Sequence, residues 1–178
     1  MIARLMGVVL EKTPTRAVLD VNGVGYELSI PVSTFEKLNE IGQTATLLTH
    51  LHVREDAMQL FGFATDQEKG LFSNLVSVSG VGPKLALAIL SGRNVDELKR
   101  LIVTGDVDAL TRISGVGKKT AQRLVMELRE KLEKETGYAA VPLPAGGEGA
   151  SQKLAEAVLA LVSLGYNKGT AERLLGKM

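Results

Sequence analysis

Two short phrases in this chain carry residues suited to holding an anion. They are Ser79-Gly80-Val81-Gly82-Pro83-Lys84 and Ser114-Gly115-Val116-Gly117-Lys118-Lys119, 35 positions apart. In each, two glycines flank a valine and a lysine follows within the next turn of chain. A glycine-bearing turn that opens a helix leaves backbone N–H groups unpaired at the helix end, where the helix dipole also favours negative charge. Lys84 in the first copy, and Lys118, Lys119 and Arg123 in the second, set cations beside that position. The guest this suits is phosphate. A pair of such turns predicts a grip on a nucleic-acid backbone, and phosphate contacts carry no base information, so binding by shape rather than by sequence is expected.

Neighbouring residues supply the elements those turns require. Leu71, Phe72, Leu75, Val76 and Val78 precede the first copy at helical spacing, and Leu85, Ala86, Ile89 and Leu90 follow it. Pro83 sits where a helix begins, since its missing N–H costs nothing there. Leu110 and Ile113 lead into the second copy, and Ala121, Leu124, Val125, Leu128 and Leu132 form an apolar stripe behind it. Two other phosphate motifs fail on spacing. A Walker A loop would need glycine at Arg112 and serine or threonine at Lys119; a dinucleotide fingerprint would need glycine at Leu85 or Thr120. Gly23-Val24-Gly25 has the same spelling with no helix behind it, and is assigned no phosphate role. The paired phrases resemble helix-hairpin-helix motifs, non-sequence-specific DNA-binding units.

From 66 to 136 the whole pattern is helical, with segments expected at Gln67–Val78, Pro83–Ser91, Val95–Val103, Val107–Ile113 and Lys118–Glu135. Asn94 with Glu97 reads as a capping box and Asp106 as an N-cap. Before it, Ala3–Leu10, Arg16–Val21, Gly25–Ile30, Thr44–Val53 and Met58–Phe63 read as short strands, with a helical turn near Thr34–Leu38. Asn22-Gly23 is a hairpin signal. Five such strands suit a small, partly open barrel of the oligonucleotide-binding type, with a sandwich as the alternative. Arg54-Glu55-Asp56 forms the turn between the last two strands, placing two carboxylates at a hairpin tip. A solvated polar turn would look the same.

After 137 the composition changes. Gly137 to Ala150, with Pro142, Pro144, Gly146, Gly147 and Gly149, has too little apolar content to fold and reads as a linker. Helices are expected at Gln152–Leu164 and Lys168–Leu175, a small docking element. The chain therefore reads as α+β and multidomain: a barrel over 1–64, tandem helix-hairpin-helix units over 65–137, a linker over 138–150 and a helical module over 151–178.

Composition narrows the class. The chain has no cysteine, which excludes disulfides and thiolate metal sites and suits the cytoplasm. The start has no long apolar stretch and nothing approaches a membrane span, so a soluble, unexported protein is expected. A net charge of +1 argues against a nucleic-acid partner until it is resolved by region. Residues 1 to 64 hold 5 basic and 7 acidic side chains, net −2, whereas 80 to 123 hold 8 basic and 4 acidic, net +4. Positive charge gathers around the twin turns.

Taken in order, Arg54-Glu55-Asp56 before Gln59-Leu60-Phe61-Gly62-Phe63, the two Gly-Val-Gly turns, the linker and Leu161-Val162-Ser163-Leu164-Gly165-Tyr166 resemble the RuvA family of bacterial Holliday-junction branch-migration proteins. The likeness covers nearly the whole chain. It implies a homotetramer, single or paired face to face as an octamer, that holds four-way-junction DNA open and square without catalysis or cofactor. Gly80, Gly82, Lys84, Gly115, Gly117, Lys118, Lys119 and Arg123 match phosphate-contacting positions. Glu55 and Asp56 match an acidic pin that repels phosphates at the junction centre. Leu161, Leu164 and Tyr166 match the patch that engages the RuvB ATPase hexamer, and the RuvC resolvase is a further candidate partner. The family's third domain resembles a three-helix bundle, so with two helices expected before Met178 the last one is expected to be absent. Two rival readings keep other chemistry open: an enzyme, as a nuclease using Glu55 and Asp56 with magnesium or a glycosylase, and a tandem-hairpin tether of a larger repair complex.

Overall fold

The computed structural model describes residues 1–55 and 57–136. The linker and C-terminal module expected over 137–178, with Leu161, Leu164 and Tyr166, lie outside the described residues, as does Asp56. The strands are β1 (Arg4–Thr13), β2 (Arg16–Val21), β3 (Val24–Ser29), β4 (Thr44–Val53) and β5 (Met58–Phe63). The helices are α1 (Val32–Lys37), α2 (Asp66–Ser77), α3 (Pro83–Gly92), α4 (Val95–Thr104), α5 (Val107–Thr111) and α6 (Lys118–Thr136).

The five strands form a closed barrel in the order β1-β2-β3-β5-β4. Closure corrects the partly open barrel expected from sequence, and the sandwich alternative falls with it. β1 runs on to Thr13 rather than stopping at Leu10, because its first half pairs with β4 and its second half with β2. That extension is polar, which hid it in the apolar pattern: Lys12 donates to Leu38 O and Glu40, and Arg16 pairs with Glu11 and Glu27. The crossing of the two ladders demands glycine at position 7, where a Cβ would lie 2.1 Å from Asp20 O. The seam between β3 and β5 is a single parallel bridge, Ser29 to Phe61. At Asn22-Gly23 both residues have positive φ, 53° and 87°, the geometry of the two-residue hairpin the dipeptide signalled.

Leu5, Val9, Ala17, Leu19, Leu28, Ile30 and Leu47 fill the barrel. A second core runs through the helices from Leu71 to Leu132 and takes in Phe61 and Phe63 of β5. These two rings meet Phe72 of α2 at centroid distances of 5.1 and 4.9 Å. β5 thus serves the barrel with its backbone and the helical layer with its aromatic rings.

Where β5 ends, Glu68 locks the join. Its side chain is 1% exposed. Oε2 accepts from Thr34 Oγ1 at 3.0 Å, Ala64 N at 2.9 Å and Thr65 N at 3.2 Å, and Lys37 Nζ reaches Oε1 at 3.2 Å. Thr65 Oγ1 accepts from Glu68 N, completing a capping box at the start of α2. The box expected at Asn94 is only half formed: its side chain caps Glu97 N, but Glu97 turns to Arg93. Asp106 caps α5 as expected, accepting from Ala109 N at 2.9 Å.

Two titrating groups sit at this join. Burial pushes the Glu68 carboxyl upward, but the Ser33 and Thr34 hydroxyls and the Lys37 ammonium outweigh it, and the net direction is down. Burial lowers His50, with the charges of His52 and Lys69 adding to it; its ring stands edge-on to Phe72 at 5.3 Å. In both cases the folded state binds fewer protons than the unfolded one, so stability is lost as pH falls. Acid unfolding should therefore set in as pH drops below the ordinary histidine value near 6.5, and steepen below the ordinary glutamate value near 4.5. Thermal melts from pH 7 to 3 measure this. Glu68→Ala should cost roughly 3 kcal/mol, since it strands several buried donors, and should remove the lower step.

Candidate nucleic-acid interface

The two glycine turns are built alike. In the first, Val81 N donates to Val78 O at 3.0 Å and Ala86 N to Gly82 O at 3.0 Å; in the second, Val116 N donates to Ile113 O at 3.0 Å and Ala121 N to Gly117 O at 2.9 Å. Val81 and Val116 are buried, at 4% and 5% exposure, and anchor each turn in the helical core. Ser79, Gly80 and Gly82, like Ser114, Gly115 and Gly117, are exposed. The central valine is therefore a peg, and the residues around it face solvent.

The two glycines of each phrase have different duties. Gly80 and Gly115 have φ of 88° and 83°, a region a side chain disfavours, so the fold requires them. Gly82 has φ of −82°, which any residue adopts, and a Cβ at Gly82 or Gly117 would meet nothing within 4 Å. Neither backbone strain nor packing accounts for glycine there. The vacancy faces outward, at the start of α3 and of α6.

Capping marks the same place. Side chains cap α2, α4 and α5 through Thr65, Asn94 and Asp106, whereas α3 begins at Gly82 with no side-chain cap. The N–H groups of its first turn remain available to an external acceptor. Lys84, Lys118 and Lys119 are exposed and form no ion pair with any described residue. By contrast Lys12, Arg16, Lys37, Arg93, Lys99 and Arg129 are each neutralised by a carboxylate.

The structure brings the two turns to one end of the helical layer. Leu85 Cδ1 lies 3.0 Å from the position a Cβ would take on Gly115. Arg123, placed by sequence on the second grip, reaches the first: its Nη1 donates to Ser79 O at 3.0 Å, with Ser79 Oγ at 3.4 Å. It ties the turns together, a role the spacing within one motif could not reveal.

Glu55 lies at the β4–β5 hairpin tip, exposed, and the hairpin closes through Arg54 N donating to Ala57 O at 2.8 Å. The stem of that hairpin and the first turn face each other across a cleft lined by His52, Arg54, Gln59, Gly82, Pro83 and Lys84. His52 and Gln59 carry no motif signal. Only their facing positions in the β4–β5 ladder, paired across from one another, put them on this wall. Among the described residues no group of three or more His, Asp and Glu side chains could hold a metal ion, and no helix is long and apolar enough to cross a membrane.

Comparison with known proteins follows the same division. Residues 1–62 match the model of the RuvA N-terminal domain, and residues 72–130 that of the SAM-like helix-hairpin-helix tandem. A Pseudomonas putida protein named Holliday junction branch migration complex subunit RuvA is 49% identical over 180 aligned residues, covering 97% of this chain and 87% of that one. Proteins of the same name from Thioalkalivibrio sulfidiphilus and Stenotrophomonas maltophilia are 49% and 47% identical, over 98% of this chain in each case. With barrel, tandem hairpins and near-half identity along almost its full length, the chain belongs to the RuvA family.

Proposed function

We propose that this chain is the DNA-binding subunit of a Holliday-junction branch-migration complex. It holds a four-way junction through phosphate contacts at its paired turns, leaving ATP-driven movement to the RuvB motor. The observation that carries the reading is the pair of like-bonded turns whose second glycines, Gly82 and Gly117, the fold itself does not require. A phosphate brought against a helix start needs the room a missing side chain leaves, N–H donors and unneutralised cations. Gly80, Gly82, Lys84, Gly115, Gly117, Lys118 and Lys119 supply these, and Arg123 holds the two grips in register while offering its remaining guanidinium nitrogens to DNA.

In this reading the chain works as a homotetramer, whose four-fold symmetry matches four arms, and Glu55 with Asp56 stands at the junction centre as a repelling pin. Residues 1–64 form the pin-bearing barrel, 65–137 the grip, 138–150 a linker and 151–178 the module that docks RuvB through Leu161, Leu164 and Tyr166. Near-half identity to proteins named as branch-migration subunits supports the assignment. A generic duplex tether would need the grips alone and leaves the carboxylate-tipped hairpin without a task.

Gly82→Asp separates grip from fold. Aspartate is a better N-cap than glycine and has open space here, so the melting temperature should hold or rise slightly while junction affinity falls about ten-fold or more. Gly117→Asp should do likewise. Fluorescence anisotropy at fixed salt measures both, and unchanged affinity would remove the grip assignment. Glu55→Gln with Asp56→Asn should leave junction binding equal or tighter, because repulsion is removed, while altering the branch-migration rate with RuvB. Sedimentation of the full chain should give a tetramer; a stable monomer with equal affinity for duplex and junction would favour the tether.

A further inference from the structure

The cleft between the barrel's last hairpin and the first glycine turn has a volume of about 380 Å3, on the scale of small-ligand clefts, roughly 300–1,000 Å3, and more than a single phosphate needs. One wall is the hairpin stem, with His52, Arg54 and Gln59; the other is the start of α3, with Gly82, Pro83 and Lys84. Its charge is one-sided. Arg54 forms no ion pair with any described carboxylate, although Glu55 is its neighbour in sequence. Instead its Nε donates to His52 Nε2 at 3.0 Å. The bond ties the Arg54 side chain to the stem wall of the cleft, which it lines. His52 and Pro83 line the same space and bring two rings to it, of the kind against which a sugar or base packs.

We propose that this cleft is a strand-binding subsite that takes one nucleotide unit of a DNA strand passing from the first grip to the junction centre. Its phosphate lies between Arg54 and Lys84 and its nucleoside against His52 and Pro83. The hairpin then carries two opposite charges with two uses: a cationic stem that guides the strand and an acidic tip that turns it aside. A linear duplex held by the two turns has no strand leaving its helix at this point, so the cleft contributes to junction binding and little to duplex binding. It is a source of structure specificity distinct from the grips. This inference rests on the junction-binding reading above, and its test separates the two.

Anisotropy titrations of the full chain on an immobile four-way junction and on a linear duplex of the same arm sequence, across several salt concentrations, make the test. Arg54→Ala should weaken junction binding about three- to ten-fold and flatten the salt dependence by about 0.9 per lost phosphate contact, with duplex affinity changed less than two-fold. Gln59→Glu, which adds a negative charge to the wall, should act in the same direction, and His52→Ala should give a smaller loss. Thermal melts equal to the parent's establish that the variants are folded. If all three variants bind both DNAs with parental affinity and salt slope while Lys84→Ala and Lys118→Ala weaken binding, the cleft holds no strand and the grip reading stands. If the two lysine variants also bind as the parent does, both readings fall.

Discussion

The carboxylate of Glu68 ties the barrel to the helices, and the placing of the β4–β5 hairpin against the first turn depends on that join. Burying a carboxylate is costly unless its oxygens are satisfied. Here one oxygen takes a hydroxyl and two backbone N–H donors at the end of β5 while the other meets Lys37. The donors come from α1 and from the link after β5, and Glu68 itself stands in the first turn of α2, where its own N–H donates to Thr65 Oγ1. Moving any one of these would leave a buried charge short of partners. With Phe61 and Phe63 driven into the helical core beside Phe72, the last strand cannot shift relative to α2. The β4–β5 hairpin is therefore held at a set position over the start of α3.

That arrangement makes the distribution of charge meaningful. With a net charge of only +1, the molecule cannot attract DNA by bulk electrostatics. Among the described residues, seven carboxylates pair with six cations away from the two turns. The lysines at the two turns are left unpaired among the described residues, and the first helix there is left without a side-chain cap. Both features are local costs to stability that a phosphate ligand would offset. The two valine pegs are buried alike in the helical core, so the spacing of the turns is set by the core rather than by loops. Under the proposed function, two sequence-blind contacts at a fixed spacing would read geometry, because only a backbone of matching shape meets both.

Much of this was legible along the chain. The helix starts at Pro83 and Lys118, the strand periods, the Asn22-Gly23 hairpin and the Asp106 cap all rest on interactions within a few residues, and each stands where local rules put it. Misses came where distant partners intervene. β1 continued past its apolar run because Arg16, Leu38 and Glu40 satisfy its polar end. Barrel closure depended on a single bridge between strands 32 residues apart, Ser29 to Phe61. The Thr65–Glu68 box has a readable four-residue spelling, yet nothing local marks Glu68 as the buried clamp between two layers.

The site divides in the same way. Sequence by itself determined the two glycine turns and the helix starts behind them, since glycine, valine, glycine and lysine act through the backbone of their own turn, and a carboxylate-tipped hairpin follows from residues adjacent in the chain. Tertiary structure alone decided that Arg123 reaches across to Ser79, that the second glycine of each turn answers to no packing or backbone demand, and that His52, Arg54 and Gln59 face Gly82, Pro83 and Lys84. The physical reason is range. Backbone angles, caps and helix dipoles act over one or two turns of chain, whereas a cleft between a barrel and a helical layer exists only after long-range burial has set one against the other.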